Sequence, residues 1–301
     1  QMCIRDSIKR LMVTCICIYP VGESKVEYRN IIDTHIHSDN SKDAHHSVTL
    51  ICEQAVKKGV RAIAVTDHCE CIEYEEYNHA VTCRQSVFET VKVRKVFEGQ
   101  LAVATGVELG CPARNIDAVN DVMKNKFDFV LAYVHRIRGK KKGFYHLDYK
   151  RDSNRPELLM PRYFDDIIET VEWNGFDSLA HLTYPLRCFP AEQLADFSIM
   201  QCRDQIYYIL ETLARNKKAL EINTSGGRIV TKDIETSLFP PLEILKLFKK
   251  LGGEYVTVGS DAHNAYDVGR GIADAYDAAL AAGFEYVTYY EGRVPLQLKI
   301  E

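Results

Sequence analysis

The 301-residue sequence lacks a basic charge excess, a long apolar run and the usual glycine-rich nucleotide motifs. Lysine and arginine number 38 against 42 acidic residues, so no general basic field is present to hold a nucleic-acid backbone. The longest apolar stretch, residues 11–21, is shorter than the ~20 residues that a membrane span needs. Neither GxGxxG nor GxxxxGKS/T occurs, so a nucleotide-binding crevice is not indicated. We therefore expect neither nucleic acid nor a membrane as a partner.

The ten cysteines form no CxxC pair and no regular framework of spacings. A chain of this length buries a core without disulfides, so a reduced, cytoplasmic setting is expected. The rival is export, because Lys9 and Arg10 precede residues 11–21 in the manner of a short signal segment, although no obvious small-x-small cleavage site follows. We treat residues 1–29 as an N-terminal extension of doubtful structure and residues 30–301 as a single domain.

Seven short segments are nearly continuous apolar runs, as in strands that are buried on both faces of a parallel sheet. They are residues 30–37, 61–68, 101–109, 128–135, 178–182, 219–224 and 255–263. Stretches with helical periodicity lie between them, at residues 48–58, 163–171, 202–214 and 242–251. This alternation predicts a parallel α/β architecture, and the chain length favours a closed or nearly closed (β/α) barrel over an open sheet.

Each predicted strand ends in, or within three residues of, a side chain that can bind a metal ion. In order these are His35 and His37, Asp67 and His68, Glu108, His135, His181, Glu221, and Asp261 and His263. One such residue is usually structural, but in a (β/α) barrel the C-terminal strand ends converge on one face. The donors exceed the needs of one four-coordinate zinc, which indicates two or three ions with a carboxylate such as Glu108 bridging a pair.

The spacing within the first strand supports this interpretation. Residues i and i+2 of a strand point the same way, so His35 and His37 can bind one ion from the same side. Asp33 shares that face one step deeper, where it could orient an imidazole. Asp261 and His263 repeat the spacing on the last strand.

Seven short motifs together resemble the polymerase-and-histidinol-phosphatase (PHP) family, and within it the histidinol-phosphate phosphatase branch. They are DTHIH from Asp33, VTDH from Val65, GVELG from Gly106, His135, HLTYPLR from His181, EINTS from Glu221 and GSDAH from Gly259. The match runs from residue 30 to residue 295 with the motifs in family order. It therefore covers nearly the whole chain and is far more specific than a single motif.

The resemblance implies a distorted seven-stranded (β/α) barrel with a metal site of two or three Zn, Mn or Fe ions at the C-terminal strand ends. One ion would take His35, His37, Glu108 and Asp261, and a second would share Glu108 and add His135 and His181. A third would take His68, His263 and one further ligand. Many members of the family have a histidine six residues after the HxH motif, where this chain has Asp43. We expect Asp43 as that ligand, with His45 and His46 as the alternatives.

The activity implied is metal-dependent hydrolysis of a phosphate monoester, most specifically L-histidinol phosphate in histidine biosynthesis. The catalytic residues would be His35, His37, Glu108, Asp261 and His263. Clustered divalent ions lower the pKa of bound water toward ~7 and so provide hydroxide. Cysteine followed by arginine six residues later does not occur, nor does Asp-x-Asp, so the covalent phosphatase routes lack their motifs.

Two arginines are candidates for holding the phosphate group. Arg187 lies six residues after His181 and Arg228 lies seven after Glu221, both in loops expected at the pocket mouth. An acidic run that begins at Glu70 could attract a cationic substrate, although such a run is more often a solvated loop.

Three other functions stay open at this stage. The first is a phosphoesterase for nucleotide, sugar or phosphotyrosine esters, and the second is an amidohydrolase-type enzyme, which also begins with HxH on its first strand. The third is a metal-binding scaffold without catalysis. The sequence leaves the oligomeric state open.

Overall fold

The computed structural model describes residues 27–225 and 240–301, and between them the strands Ile229–Thr231 and Ile234–Thr236. Residues 1–26 of the expected extension lie outside the described residues, and so does Arg228. In the described part of the chain, no helix is long and apolar enough to cross a membrane.

The central feature is a parallel sheet that curls into a barrel. Its strands are β1 (Ile32–Ile36), β2 (Ala62–Val65), β3 (His68–Glu70), β4 (Ala102–Gly110), β5 (Phe129–Tyr133), β6 (Ser178–Leu179), β7 (Ala219–Asn223) and β10 (Val256–Gly259). Between β7 and β10 in the chain, the short strands β8 (Ile229–Thr231) and β9 (Ile234–Thr236) form a separate two-stranded sheet. Neighbours follow the order β1-β2-β4-β5-β6-β7-β10, and β3 pairs with β4 beyond the end of β2. The sequences of β2 and β5 are short, apolar and wholly buried, which is typical of strands covered on both faces.

The barrel closes between β1 and the segment that follows β10. The Asp261 amide donates to the His35 carbonyl at 2.8 Å, and the His37 amide donates to the Ala262 carbonyl at 2.9 Å. The register of β1 against β2 shifts between Asp33 and Ile36. Seven parallel strands thus form a nearly closed, distorted barrel, which confirms the predicted fold class.

Helices connect the strands on the outside of the barrel. They are α1 (Val48–Lys57), α2 (His79–Val96), α3 (Ile116–Val122), α4 (Pro156–Trp173), α5 (Ala191–Leu194), α6 (Arg203–Arg215), α7 (Leu242–Lys250) and α8 (Ile272–Ala281). The four stretches of helical periodicity in the sequence fall in α1, α4, α6 and α7. Helix α2 was not predicted because polar residues, among them His79, Ser86 and Thr90, occupy much of its buried face.

A C-terminal hairpin covers the end of the barrel opposite the strand ends that carry the histidines. It consists of β11 (Tyr286–Glu291) and β12 (Val294–Lys299). The Tyr290 ring stacks on Phe129, the first residue of β5, with centroids 5.0 Å apart. The Arg293 amide donates to the Asp128 carbonyl at 2.8 Å. The hairpin therefore shields the N-terminal strand ends and leaves the C-terminal ends available for a site.

Candidate metal centre

Glu108 lies near the C-terminal end of β4 and is fully buried. Its Oε1 atom is 2.8 Å from His181 Nε2 and 3.3 Å from His35 Nε2. Its Oε2 atom is 2.7 Å from His68 Nδ1 and 3.8 Å from His37 Nε2. One carboxylate is thus surrounded by imidazoles from β1, from β3 and from the end of β6, as a bridging ligand would be.

The first potential ion site uses the two histidines of β1. His35, His37 and Glu108 each offer one ligand atom, and these atoms lie within 4.8 Å of one another. Asp261 Oδ1 lies 3.6 Å from His35 Nε2 and 3.2 Å from His37 Nε2. The i, i+2 spacing on one strand therefore brings both imidazoles to the same carboxylates, as the sequence predicted.

The second potential site shares Glu108 with the first. His135 and His181 each stand two residues beyond a strand, after β5 and β6 respectively. Their rings stack with centroids 5.1 Å apart, and one ligand atom from each lies within 4.8 Å of Glu108. Because β5 pairs with both β4 and β6, the three side chains emerge side by side.

The third potential site is more exposed to solvent than the other two. His37, His68 and His263 offer ligand atoms within 4.8 Å of one another. Asp43 Oδ1 is 3.6 Å from His68 Nε2, and Asp43 Oδ2 is 3.4 Å from His263 Nε2. The sequence did not predict that His37 would reach this group as well as the first.

The two histidines that were alternatives to Asp43 are placed differently. The Nδ1 atom of His46 accepts the Ala265 amide at 3.3 Å, and its ring packs edge-on against Tyr266. His45 is exposed, and its amide donates to the His263 carbonyl. Asp43 is therefore the residue of the three whose side chain contacts both His68 and His263.

The charges of the site depend on one another. Burial by itself would raise the pKa of Glu108, but the imidazoles of His35 and His68 outweigh it and hold that pKa well below its usual range. Burial is outweighed in the same way at Asp261, where His35 and His37 keep the pKa low. At His37, burial and the neighbouring His68 lower the pKa to about 3, so this imidazole is neutral with a free lone pair. Ionised carboxylates and neutral imidazoles are the forms that bind divalent metals.

Several nitrogen ligand atoms face one another at short range. The Nε2 atoms of His35 and His37 are 3.1 Å apart, and those of His68 and His263 are 3.4 Å apart. Glu108 Oε2 is buried without an aligned hydrogen-bond donor. A cation between such atoms would satisfy their lone pairs together, so the nitrogen and oxygen donors fit zinc or a similar divalent ion.

Glu221, at the end of the predicted sixth strand, orients two of the histidines. Its Oε1 accepts from His35 Nδ1 at 2.7 Å, and its Oε2 accepts the His181 amide at 2.8 Å. The hydrogen bond at Nδ1 fixes the ring so that His35 Nε2 is directed at Glu108. The sequence marked Glu221 as a strand-end carboxylate but did not assign this role.

Glu70 lies beside the ring of His135, as Glu221 lies beside the ring of His35. The Tyr133 hydroxyl donates to Glu70 Oε1 at 2.8 Å, and the same oxygen is 3.6 Å from His135 Nδ1. Sequence analysis placed Glu70 in an acidic surface run. Its position two residues after His68 on one strand was the signal that it shares the inward face.

Asp33 does not orient an imidazole, contrary to our expectation. Its carboxylate accepts the amides of Ser260, at 2.9 Å, and Gly269, at 2.7 Å, as well as the Ser260 hydroxyl. It also receives the His35 amide at 3.4 Å. Asp33 therefore holds the loop after β10 to β1, while Glu221 contacts the His35 ring.

Asp67 is likewise structural. It accepts hydrogen bonds from the amide and hydroxyl of Ser38 and from the hydroxyls of Ser41 and Ser86. These donors occupy both of its oxygens. Asp67 therefore ties the loop after β1 and helix α2 to the end of β2.

Two candidate ligands occupy the left-handed region of backbone conformation. His181 has a φ of 25° and Asp261 a φ of 53°. Such conformations cost about 1–3 kcal/mol each and cluster at functional sites. They turn the chain sharply as it leaves β6 and β10, which brings both side chains toward Glu108 and His37.

Gly259 provides the space that the first group needs. A Cβ atom at this position would overlap both the Cβ of His35 and the carboxylate of Glu221. Only glycine therefore allows β10 to pass so close to these two side chains.

Arg187 points toward the same centre. Its Nη1 atom is 3.7 Å from Asp261 Oδ2 and donates to Ser225 Oγ at 3.2 Å. The guanidinium lies 5.0 Å from the centroid of the Tyr184 ring, and the side chain is only 9% exposed. Arg187 therefore lies at the edge of the first ligand group, beside Asp261, whereas Arg228 lies outside the described residues.

The comparisons with known proteins agree with this geometry. The model of the PHP domain matches residues 33–225. A probable histidinol-phosphatase of Thermotoga maritima is 31% identical over 259 residues, 85% of this chain and 94% of the relative. The histidinol-phosphatase of Lactococcus lactis is 27% identical, with 87% of this chain and 94% of the relative covered.

A solved structure is also similar. It is the histidinol phosphate phosphatase of Lactococcus lactis, complexed with zinc, L-histidinol and phosphate. It superposes with a TM-score of 0.69 at 25% identity, covering 89% of this chain and 99% of its own. On the family model, the identity to curated relatives and the shared fold, the chain belongs to the PHP domain family.

Proposed function

We propose that this protein hydrolyses L-histidinol phosphate to L-histidinol and phosphate with the help of divalent metal ions. The observation that carries the proposal is the set of three overlapping ligand groups, two of which share Glu108. The proposal is supported by relatives named histidinol-phosphatases and by the Lactococcus lactis enzyme that binds zinc, L-histidinol and phosphate.

Nine side chains would hold two or three ions, with zinc as the first choice. These are His35, His37, Glu108 and Asp261 for the first, Glu108, His135 and His181 for the second, and His68, His263 and Asp43 for the third. Ions there would supply a nucleophile from water at neutral pH and offset charge on the phosphoryl oxygens. Glu221 would keep His35 in the ligating tautomer, and Glu70 lies beside the His135 ring.

Arg187 would bind the phosphate group of the substrate. Its planar guanidinium offers two parallel donors, and its contacts with Asp261 and Ser225 hold it at the edge of the ligand groups. Burial makes this charge more effective than a surface arginine, because fewer water molecules compete for it. Arg228 remains a second candidate on the basis of its position in the sequence.

The reaction would take place in the cytoplasm, within a single domain of residues 30–301, on a small phosphorylated substrate. The cysteines from Cys52 to Cys202 are all unpaired in the described part of the chain, in keeping with a reduced compartment. The net charge of −4 offers no support for binding nucleic acid.

Phosphate release by protein stripped of metal and then resupplied with zinc, manganese or iron tests this function. We expect no release from histidinol phosphate without metal and restored release with at least one of the three ions. A panel of nucleotide, sugar and phosphotyrosine esters should be hydrolysed at least about 10²-fold less efficiently, because they lack the groups that the pocket would recognise. Comparable turnover of all esters would instead identify a general phosphoesterase, and turnover of amides alone would contradict phosphatase activity.

A further inference from the structure

A separate group of soft ligands lies behind the strand that carries His68. Cys69, His79 and Cys83 each offer one ligand atom, and these three atoms lie within 4.8 Å of one another. The exposed fractions of the three residues are 0%, 7% and 2%. The group shares no residue with the three groups around Glu108 and His37.

The local structure explains why these residues meet. Successive residues of a strand point to opposite faces, so Cys69 faces away from the side to which His68 and Glu70 point. It packs in the hydrophobic core beside Cys83. His79 is the first residue of α2, and Cys83 follows four residues later on the same side of the helix.

A fourth sulfur is close by. The Cys69 thiol contacts the thiols of both Cys71 and Cys83, and the Cys83 thiol contacts the His79 imidazole. Cys71 is fully buried, at the start of the 3-10 turn Cys71–Glu73. Its thiol donates to the Cys69 carbonyl at 3.7 Å, so Cys71 adjoins the group but is not among the three residues whose ligand atoms all lie within 4.8 Å of one another.

Two thiolates and a neutral imidazole are ligands that zinc prefers, and a thiolate pair cancels the charge of a divalent ion. A buried ion is tolerated when its charge is balanced in this way. Zinc bonds of ~2.3 Å to sulfur and ~2.0 Å to nitrogen place the ligand atoms about 3.5–3.8 Å apart, which is compatible with atoms that already lie within 4.8 Å of one another.

His79 would exchange one partner on binding. Its Nε2 atom now accepts the Glu70 amide at 3.1 Å. A neutral imidazole has one free lone pair, so coordination by His79 replaces this hydrogen bond. The exchange links the group to β3, where Glu70 contacts His135.

We propose that Cys69, His79 and Cys83 form a structural zinc site, distinct from the hydrolytic centre, with Cys71 as the nearest fourth ligand. The ion would join β3 to the start of α2 from the core side. It would thereby hold the strand that presents His68 and Glu70 to the catalytic ions. The alternative is that these are inert core thiols, which is common for buried cysteines.

Cobalt substitution distinguishes the two possibilities. Among the described residues, the three groups at the hydrolytic centre contain only imidazole and carboxylate ligands, so cobalt there gives no sulfur charge-transfer absorption. We expect the full chain, expressed in cobalt-supplemented medium, to show a near-ultraviolet thiolate-to-cobalt band. Zinc-grown protein should contain one more equivalent of zinc than its Cys83→Ser variant.

Single-residue variants identify the side chains that give rise to the charge-transfer band. Cys69→Ser, Cys83→Ser and His79→Gln should remove or strongly shift it, whereas Glu108→Gln and Cys52→Ser should retain it, because neither position belongs to the group. Cys52 is a matched control as a buried free thiol in another part of the core. Absence of the band in wild-type protein whose thiols titrate as reduced would overturn the proposal, and so would a Cys69–Cys83 disulfide found by mass spectrometry. A band that survives both serine variants would also overturn it.

Discussion

Two pairs of buried carboxylates lie on or just after the barrel strands, and they have opposite surroundings. Glu108 and Asp261 face imidazoles, with the nearest contacts at 2.7 Å and 3.2 Å. Asp33 and Asp67 face serine hydroxyls and backbone amides instead. In the sequence all four look alike, because each is an acidic residue near one end of an apolar run.

The pKa values of the two pairs shift in opposite directions. Burial raises the pKa of Asp33 and of Asp67, and the hydrogen bonds from neighbouring serines offset only part of the increase. At Glu108 and Asp261 the histidines reverse the effect of burial. Oxygens that already accept hydrogen bonds from fixed serine and backbone donors stabilise loops, while oxygens that face titratable imidazoles are available to a cation that replaces the protons.

The largest effect is expected from Glu108→Gln. An amide in place of the carboxylate removes the negative charge shared by two ligand groups, so at least about 10³-fold of the phosphatase activity should be lost. The free energy of unfolding of metal-free protein should fall by about 3 kcal/mol, because the buried imidazoles of His35 and His68 lose their counter-charge. Steady-state kinetics and urea unfolding check these two quantities. Retained activity would remove Glu108 from the catalytic centre.

Asp67→Asn is the matched change in the other pair. The new NH₂ group would oppose donors from Ser38, Ser41 or Ser86, which should destabilise the protein by about 3 kcal/mol. Metal content per folded chain should stay at the wild-type value, because Asp67 binds no ion in this interpretation. Loss of metal without loss of stability would contradict the contrast between the pairs.

Arg187→Lys should have a smaller effect than either. A lysine keeps the positive charge but loses the parallel donors, so kcat/KM for the phosphate ester should fall about 10–100-fold with metal content unchanged. Arg138→Lys is a suitable control, since Arg138 is exposed and pairs with Glu169. Equal effects of the two changes on kcat/KM would argue against a phosphate-binding role.

The pH dependence of stability should give the smallest but most direct contrast, in metal-free protein. The folded-state pKa of Glu108 lies below its ordinary value of 4.5, so below about pH 4.5 the unfolded chain binds more protons and stability falls with decreasing pH. The folded-state pKa of Asp67 lies above 3.8, so above about pH 3.8 the native state binds more protons and stability falls with increasing pH.

Urea unfolding of wild type, Glu108→Gln and Asp67→Asn across this range measures both slopes. The difference between wild type and Glu108→Gln should rise with pH, and that between wild type and Asp67→Asn should fall. Slopes of the same sign would show that the two carboxylates have similar surroundings after all.

The local sequence was sufficient to predict the seven barrel strands along the chain and the candidate ligands at their ends. Runs such as residues 129–133 are apolar on both faces, which is specific to buried parallel strands, and the i, i+2 spacing put His35 and His37 on one side. The candidate metal ligands could be grouped from the sequence because the C-terminal ends of parallel strands meet at one rim of the barrel.

Tertiary structure alone assigned partners across the barrel. Periodicity states on which face a side chain lies, but the distance from Glu221 to His35 joins residues 186 positions apart in the chain. The same limit applies to His37 in the third group, to the serine shell of Asp67 and to the meeting of Cys69 with Cys83. Helix α2 was not predicted because its buried face carries polar residues and a thiol, among them Ser86, which donates to Asp67, and Cys83. The helix therefore lacks the apolar stripe by which a helix is recognised in a sequence. Which residue types suit such positions depends on the side chains that folding brings next to them. Contacts between residues so far apart in the chain produce no regular spacing in the sequence.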